Sequence, residues 1–110
     1  MIHLIKTRAT KQQYDEMLAT LILYIKVAVD IRQGILVGGG ELHSDCEDKL
    51  IAIGCRSEDI WGADWVPKHR QVRCDSLINI KPRTNRSANI LDATIRNQVE
   101  KLVRSLLEDI

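Results

Sequence analysis

Phenylalanine is absent from this 110-residue chain, so Trp61 and Trp65 have to supply much of its aromatic packing. Cysteine is scarce and odd in number. Cys46, Cys55 and Cys74 form no C-x-x-C pair, which argues against a disulfide framework and fits a reducing compartment. No apolar run is long enough to span a membrane. Met1-Ile2-His3-Leu4-Ile5 passes directly into polar residues, unlike a secretory leader. The net charge is only +1, so no overall field favours nucleic acid or a membrane surface. The Walker pattern G-x-x-x-x-G-K-[ST] and the serine elbow G-x-S-x-G are both missing. These absences lead to the expectation of one cytoplasmic domain over residues 1–110, with no membrane partner.

What is present reads as an ordinary globular chain, with 45% hydrophobic and 28% charged residues. Ile2 to Lys6 suits a short first strand. Thr10-Lys11-Gln12-Gln13 is a capping box, and Tyr14, Met17, Leu18, Leu21 and Ile25 share one helical stripe, predicting a helix from about Lys11 to Leu23. Val27, Val29 and Ile31 alternate, Arg32-Gln33-Gly34 turns, and Ile35-Leu36-Val37 returns as a hairpin. Ser44-Asp45-Cys46-Glu47 reads as a second capping box, and Gly54 as the stop of that short helix. Trp61, Ala63 and Trp65 lie on one face of a strand. Pro67 to Arg70 turns, and Gln71 to Ile80 is the expected partner strand, with Arg73 and Lys81 on its solvent side. Asp92 caps a last helix that buries Ile95, Val99, Leu102, Val103, Leu106 and Ile110. Arg96–Glu100, Glu100–Arg104 and Arg104–Glu108 are spaced to pair on its outer side. The order β-α-β-β-α-β-β-α predicts an α+β fold, a largely antiparallel sheet of four to five strands with three helices.

The stretch Gly38-Gly39-Gly40-Glu41-Leu42-His43-Ser44-Asp45-Cys46-Glu47 concentrates the versatile chemistry of the first half. Three glycines in a row have two explanations, a tight exit from the sheet or a close backbone approach to a ligand. A phosphate loop fits poorly, because Glu41, Asp45, Glu47 and Asp48 repel anions. Zinc normally takes four ligands from two short-spaced pairs, and His43-x-x-Cys46 is one pair. Glu41 and Asp45, with Asp64, are the candidate carboxylates for Mg²⁺ or Mn²⁺. Cys46 beside His43 raises a thiolate reading that the adjacent acids oppose. Farther on, Lys68, Arg70, Arg73, Lys81, Arg83 and Arg86 face a single acid, Asp75. That basic stretch, with tryptophans nearby, is the case for nucleic acid, although the tryptophans suit the core better. Arg83 or Arg86 is alternatively a clamp for the acidic turn.

Gly38-Gly39-Gly40-Glu41-Leu42-His43-Ser44-Asp45-Cys46-Glu47, Asp59-Ile60-Trp61-Gly62-Ala63-Asp64-Trp65 and Ile78-Asn79-Ile80-Lys81-Pro82-Arg83 with Asn85-Arg86-Ser87 resemble a family of small bacterial proteins known as a domain of unknown function. The resemblance spans nearly the whole chain. It implies a bacterial cytoplasmic context and no activity, cofactor or active residue.

The function expected from these residues is a small non-enzymatic binding or interaction module, a homo-oligomer or the partner of another protein. No cofactor is predicted. The rival is a metal-dependent phosphoesterase or nuclease, with Glu41, His43 and Asp45 around a divalent ion and Arg83 and Arg86 on the phosphate. A nucleic-acid-binding module stands third. Gly38, Gly39 and Gly40, Glu41, His43, Asp45, Asp64, Arg83, Asn85 and Arg86 are the candidate site residues.

Overall fold

The stripes and caps of the sequence become eight elements in the computed structural model, which describes residues 1–110. They are β1 (His3–Ile5), α1 (Lys11–Leu18), β2 (Ile25–Asp30), β3 (Ile35–Gly38), α2 (His43–Ala52), β4 (Ile60–Val66), β5 (Gln71–Arg73) and α3 (Ala93–Leu107). The order and the α+β class are those expected. All pairings are antiparallel, in one five-stranded sheet of order β1-β3-β2-β4-β5. No helix is long and apolar enough to cross a membrane.

Alternation along the strands divides the core in two. Val27 and Val29 of β2, Leu36 of β3, and Trp61, Ala63 and Trp65 of β4 pack with Met17 of α1 and with Val99, Val103, Leu106 and Leu107 of α3. The opposite face joins Ala28, Ile35, Val37 and Ile60 to Cys46 and Leu50 of α2. Both tryptophans are core residues. Trp65 Nε1 donates to the Tyr14 hydroxyl at 3.1 Å, which satisfies its one polar group.

Four local expectations are corrected. The first helix ends at Leu18 rather than Leu23. The Ile22 amide still reaches the Leu18 carbonyl at 2.7 Å, but Ile22 itself is left-handed, with φ +71°. That residue reverses the chain, so Ile25, which continues the helical stripe in sequence, opens β2 and is fully buried. In α2 the cap is displaced. The helix starts at His43, Ser44 lies inside it, and the Asp45 carboxylate accepts the Leu42 amide at 3.3 Å. The reciprocal half of the box is missing because Leu42 carries no oxygen on its side chain. The strand expected from Gln71 to Ile80 stops at Arg73, and residues Leu77–Asn79 form a 3₁₀ turn. Finally, Arg104 pairs with both Glu100 (3.2 Å) and Glu108 (2.7 Å), whereas Arg96 donates to the Ile90 carbonyl at 3.0 Å.

The β2–β3 hairpin is interior. The sheet edges are β1 and β5, three residues each, so the only hairpin edge open to a partner is the short β5.

The strand register brings one set of loops to one end of the sheet. His3 pairs with Gly38, Val27 with Gly38, Ile25 with Trp65 and Val66 with Gln71. The N-terminus, the α1–β2 turn, the glycine turn and the β4–β5 turn therefore share that end, where α2 also begins.

Candidate functional site

The glycine turn makes close contacts with the chain's own atoms. A Cβ on Gly39, whose φ is +96°, would lie 2.2 Å from the Met1 carbonyl oxygen and 3.0 Å from Met17 Cα. At Gly38 it would meet Met17 Sδ at 3.0 Å, and at Gly40 Cys46 Sγ at 3.1 Å. Thr20 Oγ1 donates to the Gly39 carbonyl at 2.7 Å, and the Gly39 amide to the Lys26 carbonyl at 3.1 Å. The turn threads between α1, β2 and α2 where side chains do not fit.

Beyond it, the first residue of α2 meets the sheet. His43 Nε2 lies 2.9 Å from Asp64 Oδ1 and 3.0 Å from the Ala63 carbonyl. Asp64 is buried, and its second oxygen accepts Arg73 Nη2 at 3.2 Å. The Arg73 guanidinium stands 5.1 Å from the Tyr24 ring centroid, within range of a cation–π contact. Asp64 thus holds α2, β4 and β5 together. Alternation places Arg73 on the solvent side of its strand, but its head group is recruited by a buried carboxylate that needs a partner.

The other expected site residues do not join this cluster. Glu41 is exposed, and its backbone carbonyl, not its carboxylate, accepts Lys26 Nζ at 3.0 Å. Asp45 is occupied with the Leu42 amide. No group of three or more His, Cys, Asp or Glu side chains stands close enough to hold a metal ion. The donor set considered for a divalent ion, Glu41, His43 and Asp45, therefore does not converge. Burial pushes the Cys46 thiol up to about 11, with Asp45 adding to that rise, so Cys46 is a neutral core thiol. Arg86 Nε donates to the Pro82 carbonyl at 2.9 Å. Neither Arg83 nor Arg86 forms an ion pair with the acidic turn, and the clamp that reaches a carboxylate on this face is Arg73.

Asn85 is an architectural hub. It is buried, its Nδ2 lies 2.8–2.9 Å from the carbonyls of Asn79, Ser87 and Asn89, and its Oδ1 accepts the Leu91 amide at 3.0 Å. Asn79 was not among the expected site residues. The β5 pairing reaches only residues 64–66 of β4, and Asn79 serves Gly62 next along the strand. Its Oδ1 accepts the Gly62 amide at 2.7 Å and its Nδ2 donates to the Gly62 carbonyl at 3.0 Å, so a side-chain amide replaces a strand residue. The signal available in the sequence was one carboxamide inside the apolar run Leu77-Ile78-Asn79-Ile80.

An open cavity of about 630 Å³ lies between α2, the 3₁₀ turn Ser57–Asp59 and the loop after Asn79. Glu47, Ile78, Lys81 and Arg83 are among its walls. Lys81 Nζ donates to the Ser57 carbonyl at 2.9 Å and sits 4.7 Å from the Trp61 ring centroid. Burial lowers the Lys81 pKa, opposed by Glu47 and Asp59. Burial raises that of Glu47, opposed by Lys81.

The family model described as "Protein of unknown function (DUF5674)" matches residues 3–106. The chain belongs to this family. The match covers every strand and all but the last residue of α3, so DUF5674 describes the whole fold. Searches among curated proteins and among solved structures returned no match.

Proposed function

We propose that this DUF5674 domain is a non-catalytic interaction module that pairs with a second copy of itself through the loop-bearing end of its sheet. The observation that carries the reading is the α1–β2 turn. Ile22 and Leu23 are adjacent, 74% and 72% exposed, and Ile22 is held left-handed. A β-branched residue is costly in that region, and such strain concentrates at functional contacts. Leu42 and Met1, also exposed, stand at the same end of the sheet. A net charge of +1 sets little self-repulsion against pairing. Burying two large aliphatic side chains per copy contributes about 1.5–3 kcal/mol each, and two-fold symmetry doubles that gain against the cost of association.

The engagement of the polar residues supports a role without catalysis. His43, Asp45, Asn79 and Asn85 are all bonded within the chain, and Cys46 is a buried thiol. Three free cysteines agree with a reducing, cytoplasmic setting. The test is molecular mass by sedimentation over a range of concentrations. A dimer that Leu23→Asp converts to a folded monomer supports the proposal. A wild-type monomer throughout, or a dimer indifferent to Leu23→Asp, overturns it.

A further inference from the structure

The cavity beside α2 stands apart from the apolar end, and its walls carry two acids, Glu47 and Glu58, and two bases, Lys81 and Arg83. Glu58 is held by Arg56 at 3.1 Å. Glu47 and Lys81 oppose each other's burial. Arg83 remains, a wall residue with no carboxylate partner and no hydrogen bond that fixes its guanidinium. Yet the backbone that carries it is braced from three sides. Lys81 and Asn85 form a bridge, with N–H···O contacts of 2.7 and 2.8 Å in the two directions. Arg86 ties down the Pro82 carbonyl, and Pro82 restricts its own φ. Beneath them Asn85 is locked by its buried amide bonds. An unpaired guanidinium on a braced turn, facing an open cavity, is a geometry suited to binding, because the backbone is already ordered and only the side chain remains to be fixed.

The structure assigns this cavity as a site for a small organic monoanion, a carboxylate with an apolar body. Arg83 takes the carboxylate through its planar fork. Ile78, Ile80 and Pro82 line the same cavity and receive the apolar part. Glu47 and Glu58 in the same walls offset the charge of Lys81 and Arg83, so a ligand with one negative charge is favoured over a polyanion. The volume lies within the range of small-molecule pockets.

The test follows amide NMR shifts while the full chain is titrated with hexanoate, hexanamide, hexylamine and inorganic phosphate. Hexanoate is expected to move the amides of Glu47 and of residues 78–84, with saturation, and the other three probes are not. Arg83→Ala should weaken hexanoate by about tenfold or more, the loss of one charge-assisted contact. Arg83→Lys should recover only part, since it keeps the charge without the fork. Absence of saturable shifts at the cavity overturns the assignment. So does an equal response to hexanamide or to phosphate, or undiminished binding in Arg83→Ala. Because Arg83 and Ile22 lie in separate loops, a monomeric protein that binds hexanoate would retain this site while refuting self-association.

Discussion

Asn79→Ala removes a side chain that stands in for backbone. The residue is fully buried, and its amide supplies the Gly62 amide with an acceptor at 2.7 Å and the Gly62 carbonyl with a donor at 3.0 Å. It also donates to the Ala88 carbonyl at 3.0 Å, but Ala88 keeps a second partner in the Ser76 amide. The substitution therefore leaves two backbone groups of β4 buried and unpaired. Each costs about 1–3 kcal/mol, so the expected loss is roughly 3 kcal/mol after allowing for a water in the vacated space. For a domain of this size that lowers Tm by on the order of 12 °C. Urea unfolding followed by tryptophan fluorescence reads the change, with Trp61 and Trp65 flanking the site by one and three residues. Asn79→Asp keeps the acceptor, loses both donated bonds and buries a charge, and should fall at least as far. A loss below about 1 kcal/mol in Asn79→Ala would refute the reasoning, since it would mean Gly62 finds other partners.

Gly39→Ala and Gly34→Ala form a matched pair, because both positions have positive φ but only Gly39 is crowded. Gly34→Ala should cost about 1–2 kcal/mol of backbone strain alone. Gly39→Ala, which drives a Cβ to 2.2 Å from the Met1 carbonyl, should cost several times that or prevent folding; equal losses in urea midpoints would contradict the packing described. The buried and half-buried thiols predict an alkaline limb. Burial raises Cys46, Cys55 and Cys74 from 9.0 to about 11, so the unfolded chain releases those protons first. Stability is then unaffected by these thiols below pH 9.0 and falls as pH rises through about 11. Cys46→Ala should flatten that fall in pH-dependent urea unfolding, and a constant offset from wild type at every pH would count against it.

The parts of the fold legible in the sequence are those set within a few residues. The Thr10–Gln13 box forms as the spacing requires, with 3.1 and 2.9 Å bonds in the two directions, and Asp92 caps α3 as expected. The misread parts are those that distant contacts decide. Leu21 and Ile25 fit the helical period, yet Ile25 is claimed by the sheet core and the chain reverses at Ile22. Val72, Cys74, Ser76 and Ile78 fit a strand period, yet β5 ends at Arg73 and Asn79 completes the edge with its side chain. The same holds for the site. His43 and Asp64 were legible as chemistry-bearing residues, but their pairing depends on α2 beginning at the end of the sheet where β4 finishes. Twenty-one positions separate them, and no local pattern encodes the strand order that brings them together.

Self-association through the α1–β2 turn is tested most directly by amide hydrogen exchange at low and high protein concentration. The account predicts that raising the concentration slows exchange in residues 20–24 and 40–43, at the loop-bearing end, and leaves the β2–β3 turn at the opposite end and the Arg83 turn unchanged. Protection that grows instead at the β2–β3 turn or the Arg83 turn, or that does not change with concentration anywhere, would contradict it.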